Sequence, residues 1–220
     1  MTIRACSTDA PAGAPLMLVR HGQSTWNVAG RIQGQSPEAG GLTAAGRAEA
    51  TRAAQALAEH LTGGTPRTGS IVASDLPRAA ETARIIAGLL GWPVRFDPNL
   101  REQRLGTLEG LRLAAPLPVS VAIGPGGAGP ASGQDAVDAL WRDPYLRPPG
   151  GESVAEMYLR VHRALGRLAV SRPGTVTIVA THGGPIRVAT ATYLPAPGQA
   201  MPRVEVGNAS ITTVDIGPAG

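Results

Sequence analysis

"LMLVRHGQSTWN", Leu16 to Asn27, begins with four apolar residues and runs straight into arginine, histidine and glycine. A short unbroken apolar run reads as a strand buried on both faces, the kind found in parallel sheets covered by helices. Such a strand should not end on two groups that prefer water unless something there needs them. The edge of an open α/β sheet supplies the need, because ligands bind outside the carboxyl ends of the strands, where loops and helix N-termini converge.

Two further runs have the same character, "SIVAS" from Ser70 and "TVTIVAT" from Thr175. Helical patterns follow all three. Between Thr43 and Leu61, residues Ala50, Ala53, Ala54, Leu57 and Leu61 recur at helical spacing, with Thr43 placed as the N-cap. Pro77 occupies a tolerated first-turn position ahead of Ala80, Ala83, Ile86, Leu89 and Leu90. Ser153 and Glu156 fit a capping box before the stripe Val154, Met157, Tyr158, Val161, Leu165 and Leu168. A fourth helix is expected from Gly184 or Pro185 to Leu194, and "ASITTVDI" reads as a last strand. Strands alternating with helices predict an α/β fold, a three-layer α/β/α sandwich around a mostly parallel central sheet.

With 220 residues, of which 43% are hydrophobic, the chain suits one domain. Residues 15–220 are read as that domain and residues 1–14 as a flexible tail. Only 3% of residues are aromatic, so the core must be aliphatic and alanine-rich. "APLPVSVAIGPGGAGPASG", ending at Gly133, offers proline and glycine with little periodicity. It is read as a loop or lid within a Pro/Gly-rich segment at about 111–150.

The net charge is +4 and the pI about 10.2, yet all 20 basic residues are arginine and lie scattered among 16 acids. Without a basic stripe interleaved with aromatics, nucleic acid is not an expected partner. The single cysteine, Cys6, excludes an internal disulfide and fits a reducing compartment. With no apolar run of about 18 residues, no membrane partner is expected and the location is read as cytoplasmic. A homodimer is compatible with the sequence.

If the three strands are neighbours, one sheet edge collects Arg20 and His21, then Ser74 and Arg78, then Thr181 and His182, with the amide of Gly183 opening a helix. Arginine's planar fork matches two phosphate oxygens at once, so a dianion is the natural occupant. Nearby positive charge pushes both histidines towards the neutral form, and a neutral imidazole is a nucleophile. The expected chemistry is attack of His21 on phosphorus to give a phosphohistidine, with Arg20, Arg78 and His182 stabilising the equatorial oxygens. Glu102 in "LREQRLGTLEGL" is placed to protonate the leaving alkoxide and later to deprotonate water, with Glu109 as the other candidate. The structural alternatives are a His182 bonded to a backbone carbonyl and an Arg78 on a helix surface. Zinc on His21 and His182 lacks a third ligand at metal spacing. His60 and His162 read as surface residues.

The blocks "LVRHGQSTWNVAGRIQG", "LTAAG", "ASDLPRAAETA", "LREQRLGTLEG", "GGES" and "ATHGGPIR" match, in order and approximate spacing, those of the histidine phosphatase superfamily, also called the phosphoglycerate-mutase-like family. The chain resembles that family across residues 16–194. The resemblance implies that His21 is the phosphorylated nucleophile, that Arg20, Arg78 and His182 form the phosphate pocket and that Glu102 is the proton donor. It also implies that Asn27 lies near the transferred phosphoryl group and that Gln33 and Gly34 line the substrate side. No metal and no organic cofactor is implied. Two features differ. "QGQSPEAGGLT" lacks an aspartate common in the family after "QG", and the proline-rich stretch after Leu111 stands where a more helical lid is common. "EQRLGTLEG" is similar to the phosphatase branch, whereas mutases carry "ERHYG" followed by "LQG". The expectation is a metal-independent phosphomonoester hydrolase acting on a small phosphorylated metabolite. The alternatives are a phosphoglycerate-type phosphomutase and a non-hydrolytic or repurposed phospho-ligand-binding member.

Overall fold

The structure is a computed structural model that describes residues 2–4, 16–62, 68–118, 131–170 and 175–215. Its strands are β1 (Thr2–Arg4), β2 (Leu16–Arg20), β3 (Gly69–Ala73), β4 (Val94–Phe96), β5 (Val176–Thr181) and β6 (Ile211–Asp215). Its helices are α1 (Thr25–Val28), α2 (Ala44–Thr62), α3 (Pro77–Leu90), α4 (Gly133–Arg142), α5 (Val154–Ala169) and α6 (Gly183–Ala189). The strands form one sheet in the order β1-β6-β2-β5-β3-β4. Every pair is parallel except β2 with β6. The α/β sandwich and its mostly parallel sheet are therefore as the alternation of elements predicts.

Side chains alternate across the sheet, and that sorts the core into two layers. Leu16 and Leu18 of β2, Val72 of β3 and Val179 of β5 pack under α4, α5 and α6. Met17, Val19, Ile71, Ala73, Ile178 and Ala180 face the other way, against α2 and α3. Alanines at Ala53, Ala54 and Ala83 let α2 and α3 lie close to the sheet. Trp141 is the buried aromatic among the described core residues, so the interior is aliphatic as its composition requires.

The helix ends follow local chemistry. The Thr43 hydroxyl accepts the Gly46 N–H at 3.0 Å and starts α2. In α5, Ser153 and Glu156 form the reciprocal capping box. In α3, Pro77 sits in the first turn and Gly91 closes the helix in the left-handed region at φ 69°.

Four expectations need correction or restriction. Thr2–Arg4, at the head of the expected tail, pair with β6, whose outer edge offers them a row of backbone partners; residues 5–15, with Cys6, lie outside the described residues. The segment at about 111–150 is not all loop, because α4 lies within it; residues 119–130 lie outside the described residues. The Ser132 hydroxyl caps α4 by accepting the Asp135 N–H, and Ala136, Leu140 and Trp141 are buried. The surrounding glycines and prolines mask that capping signal in the sequence. α6 stops at Ala189 rather than Leu194, since the Thr190 hydroxyl turns back to the Arg187 carbonyl at 2.9 Å and Leu194 precedes a proline. Finally, Leu89 is 44% exposed, so the buried face of α3 runs through Ala79, Ala80, Ala83 and Ile86 instead.

Candidate active site

Because β2 lies beside β5 and β5 beside β3, their carboxyl ends meet, and two backbone bonds carry the ladder one residue past the strands. The His21 N–H donates to the Thr181 carbonyl at 2.9 Å, and the Ser74 N–H to the Ala180 carbonyl at 2.9 Å. The rings of His21 and His182 thereby come within 5.2 Å, centroid to centroid, and meet edge to face.

The hydrogen bonds of His21 fix its tautomer. Nδ1 lies 2.7 Å from the Gly22 carbonyl, which can only accept, so Nδ1 carries the proton. Nε2 then presents a lone pair, and Arg78 Nε donates to it at 3.2 Å. For His182, Nε2 lies 2.8 Å from the Ser74 hydroxyl, and Nδ1 is buried without a partner among the described residues.

Arg78 is 1% exposed. Besides His21, it reaches the Gly34 carbonyl at 2.9 Å through Nη2, while Nη1 is buried without a partner among the described residues. Among the same residues no carboxylate pairs with it. Burial lowers its pKa to about 10, with Glu102 opposing and Arg20 adding to the fall, so it stays a cation at neutral pH. Arg20 donates from Nη1 to the Val206 carbonyl at 2.6 Å, and its Nε is likewise buried without a partner. Three donors from β2, α3 and the β5–α6 junction thus lack acceptors among the described residues around one imidazole. A tetrahedral oxyanion is the kind of group that accepts from several directions at once.

Both histidines are held well below the ordinary histidine value, by burial first and then by Arg78, with Arg20 adding to each. The folded chain therefore binds fewer protons than the unfolded chain below the unfolded histidine value. This contribution to stability is complete above about pH 6.5 and is lost as pH falls below it. Denaturant unfolding should therefore show a less stable protein at pH 5 than at pH 7, with His162, also lowered by burial, adding to the fall. The lowered carboxyls of Asp75, Asp138 and Glu156 act only further into acid, below about pH 4 to 4.5. A flat stability profile over that window would show that the rings are not buried as described.

The cavity in front of His21 has a volume of about 140 Å³. Arg20, Arg78, Glu102, Gly184 and Arg187 line it, together with Gln33 and Gly34. Glu102 is fixed by two backbone donors, Gln103 N–H to Oε1 at 2.9 Å and Gly184 N–H to Oε2 at 3.2 Å. Glu109 is off the wall, its Oε1 accepting the N–H groups of Gln35 and Leu105 at 3.0 and 2.8 Å. Its carboxyl also packs on Gly34, where φ is +50° and any Cβ would collide with it. The geometry therefore seats Glu102, and not Glu109, on the cavity lining.

Two expected residues sit elsewhere than on the cavity wall. Asn27 is drawn into the capping box of α1, its Oδ1 accepting the Ser24 N–H and hydroxyl, each at 2.9 Å. Gly183 is buried behind the site, and it is Gly184 whose N–H faces the cavity, already bonded to Glu102. Sequence reasoning missed Arg187. It lies one helical turn beyond Gly183 in "THGGPIR", a spacing that puts both on one face of α6. A Cβ on Gly183 would stand 3.3 Å from Arg187 Nη1 and 3.6 Å from Arg20 Nε, so both guanidinium groups flank the same point.

The model of the histidine phosphatase superfamily (branch 1) matches residues 16–117 and 130–220. The chain belongs to the histidine phosphatase superfamily. Among curated members, a protein named probable phosphoglycerate mutase GpmB from Erwinia tasmaniensis is 34% identical over 204 residues, covering 90% of this chain and 83% of that protein. Among solved members, a mycobacterial glucosyl-3-phosphoglycerate phosphatase complexed with VO3 aligns at TM-score 0.70 and 30% identity, covering 91% of this chain and 90% of that one. A phosphoglycerate mutase from Thermus thermophilus aligns at TM-score 0.59 and 30% identity, covering 91% of this chain and 92% of that one. Superfamily relatives of both names therefore share this fold. No helix among the described residues is long and apolar enough to cross a membrane.

Proposed function

We propose that this protein is a metal-independent phosphomonoester hydrolase that works through a phosphohistidine on His21, with a small phosphorylated metabolite as substrate. The observation that carries the reading is Arg78, a guanidinium 1% exposed, without a carboxylate partner among the described residues, and donating to the Nε2 of a neutral imidazole. A buried unpaired cation costs several kcal/mol unless an anion compensates it, and a phosphoryl dianion does so at the position of attack.

In the first step His21 Nε2 gives its lone pair to phosphorus while the bond from phosphorus to the ester oxygen breaks. The contact from Arg78 Nε passes from Nε2 to an equatorial oxygen as the new bond forms. Arg20 Nε, Arg78 Nη1 and His182 Nδ1 supply the remaining buried donors. Such preorganised donors act where charge is distributed in the transition state. His182 can donate from Nδ1 when Nε2 accepts the Ser74 hydroxyl hydrogen. Glu102 gives its proton to the leaving alkoxide. In the second step Glu102 takes a proton from water, whose oxygen attacks phosphorus and returns His21 to its neutral form.

Rapid quench of the protein mixed with a phosphomonoester tests the reading. One phosphoryl group should appear on His21, stable in alkali and labile in acid, and inorganic phosphate should follow at the steady-state rate. Hydrolysis without a phosphorylated histidine would overturn it. The names of the curated relatives favour a second reading, a phosphomutase on the same residues. In that case the label would pass to another position of the phosphoglycerate instead of to water.

Glu102→Gln should slow hydrolysis of alkyl phosphates by about 10²- to 10⁴-fold and of activated aryl phosphates far less. A Cβ on Gly184 would collide with Glu102 Oε1, so Gly184→Ala should reproduce the same selectivity by displacing the carboxyl. Equal losses on both ester classes would move the acid role elsewhere.

A further inference from the structure

Resting on the hydrolase reading, we infer that the leaving-group half of the cavity selects phosphomonoesters of apolar alcohols over those of sugars and polyols. Beside His21 and the charged residues, the cavity lining includes Ile32, Leu105, Leu113, Val137 and Trp141. Val137 and Trp141 are four residues apart on α4 and share the face turned to the cavity, while Ala136 and Leu140 are buried in the core. Leu113 comes from the loop before α4, Ile32 from the loop after α1, and Leu105 from the loop that carries Glu102. Separate segments thus contribute apolar surface to one lining, in which the indole N–H of Trp141 is the one side-chain polar group among the five.

Three polar side chains of this lining each have one group engaged by the protein. Gln103 Nε2 donates to the Glu152 carbonyl at 2.9 Å, and Gln33 Oε1 lies 2.8 Å from the Ser24 hydroxyl, where it and Asn27 Oδ1 are alternative acceptors of one hydrogen. Arg187 donates from Nε to the Val204 carbonyl at 3.1 Å, holds its guanidinium 5.8 Å from the Trp141 ring centroid, and flanks Arg20 on the anion side. A hydroxyl-rich leaving group would exchange water for Ile32, Leu105, Leu113, Val137 and Trp141 and leave its hydroxyls unpaired, which is unfavourable. An alkyl or aryl group of the same size loses nothing polar and removes apolar surface from water.

The test is a homologous series of straight-chain alkyl phosphates, ethyl, butyl and hexyl, with glycerol phosphate and glucose 6-phosphate beside them. All have primary alkoxide leaving groups, so differences report binding of the organic part rather than bond strength. We expect kcat/KM to rise about two- to fourfold per methylene. Hexyl phosphate should then exceed both polyol esters by at least about tenfold. Val137→Asn with Leu113→Asn should flatten the series while leaving inhibition by inorganic phosphate in place. Both side chains are only partly buried, so this pair does not depend on tolerance of a change at Trp141. A polyol ester equal to or better than hexyl phosphate would overturn the inference and leave the hydrolase reading standing. So would a series that stays steep in the double variant. Hydrolysis of none of these esters, with inorganic phosphate still bound, would remove the hydrolase reading and this inference together.

Discussion

His21→Ala should lower turnover of every phosphomonoester by at least about a thousandfold, because it removes the atom that forms the covalent bond rather than one donor among several. Neighbouring groups cannot substitute for it. His182 engages Ser74 through Nε2, and its Nδ1 is needed as a donor to the phosphoryl oxygens. The arginines have no lone pair to offer. The variant should fold, since the ring's bond to the protein backbone is a single local one, to the carbonyl of Gly22. Its loss should cost about 1–3 kcal/mol. Removing one of the three rings with lowered pKa, His21 beside His182 and His162, should also reduce the fall in stability between pH 7 and pH 5. Steady-state phosphate release, acid-labile labelling and circular dichroism together decide the matter. Residual turnover above a few per cent in a folded variant would take the nucleophile's role from His21.

Arg78→Met should separate function from stability. Activity should fall by about 10²- to 10³-fold, the usual cost of losing a donor aimed at transition-state charge. Stability in phosphate-free buffer should nevertheless rise by about 1 kcal/mol or more. A hydrophobic side chain of similar volume no longer holds a charge in a site that is 1% exposed, and that gain exceeds the loss of the bonds to the Gly34 carbonyl and to His21 Nε2. Inorganic phosphate should stabilise the wild-type protein, by about 2.7 kcal/mol at a hundred times its Kd, and should stabilise the variant little. Denaturant titrations with and without phosphate provide the comparison. A destabilised variant that still gains stability from phosphate would make Arg78 a structural residue.

Much of the fold can be read from local rules. The two-sided apolar strands at Leu16, Ser70 and Thr175, the Thr43 cap and the Ser153–Glu156 box each depend on residues close in sequence, and each is present where those rules put it. The errors fall where a distant partner or a masked signal decides. α4 hides among glycines and prolines although Ser132 and Asp135 mark its start. α6 ends early because one threonine hydroxyl competes for a carbonyl. Arg187 escapes a reading of the sequence because an arginine at a helix C-terminus is ordinary until the neighbouring Trp141 and Arg20 are seen beside it.

By itself the sequence determined which residue types stand at the ends of its strands, since apolar runs and caps are properties of neighbouring residues. It could not determine that β2, β5 and β3 are adjacent, which depends on how segments distant along the chain pack. That adjacency brings His21 and His182 to 5.2 Å, buries Arg78 at the meeting point, and seats Glu102 rather than Glu109 at the cavity. Charge state, tautomer and reactivity all follow from burial and partners, and those exist only once the chain has folded.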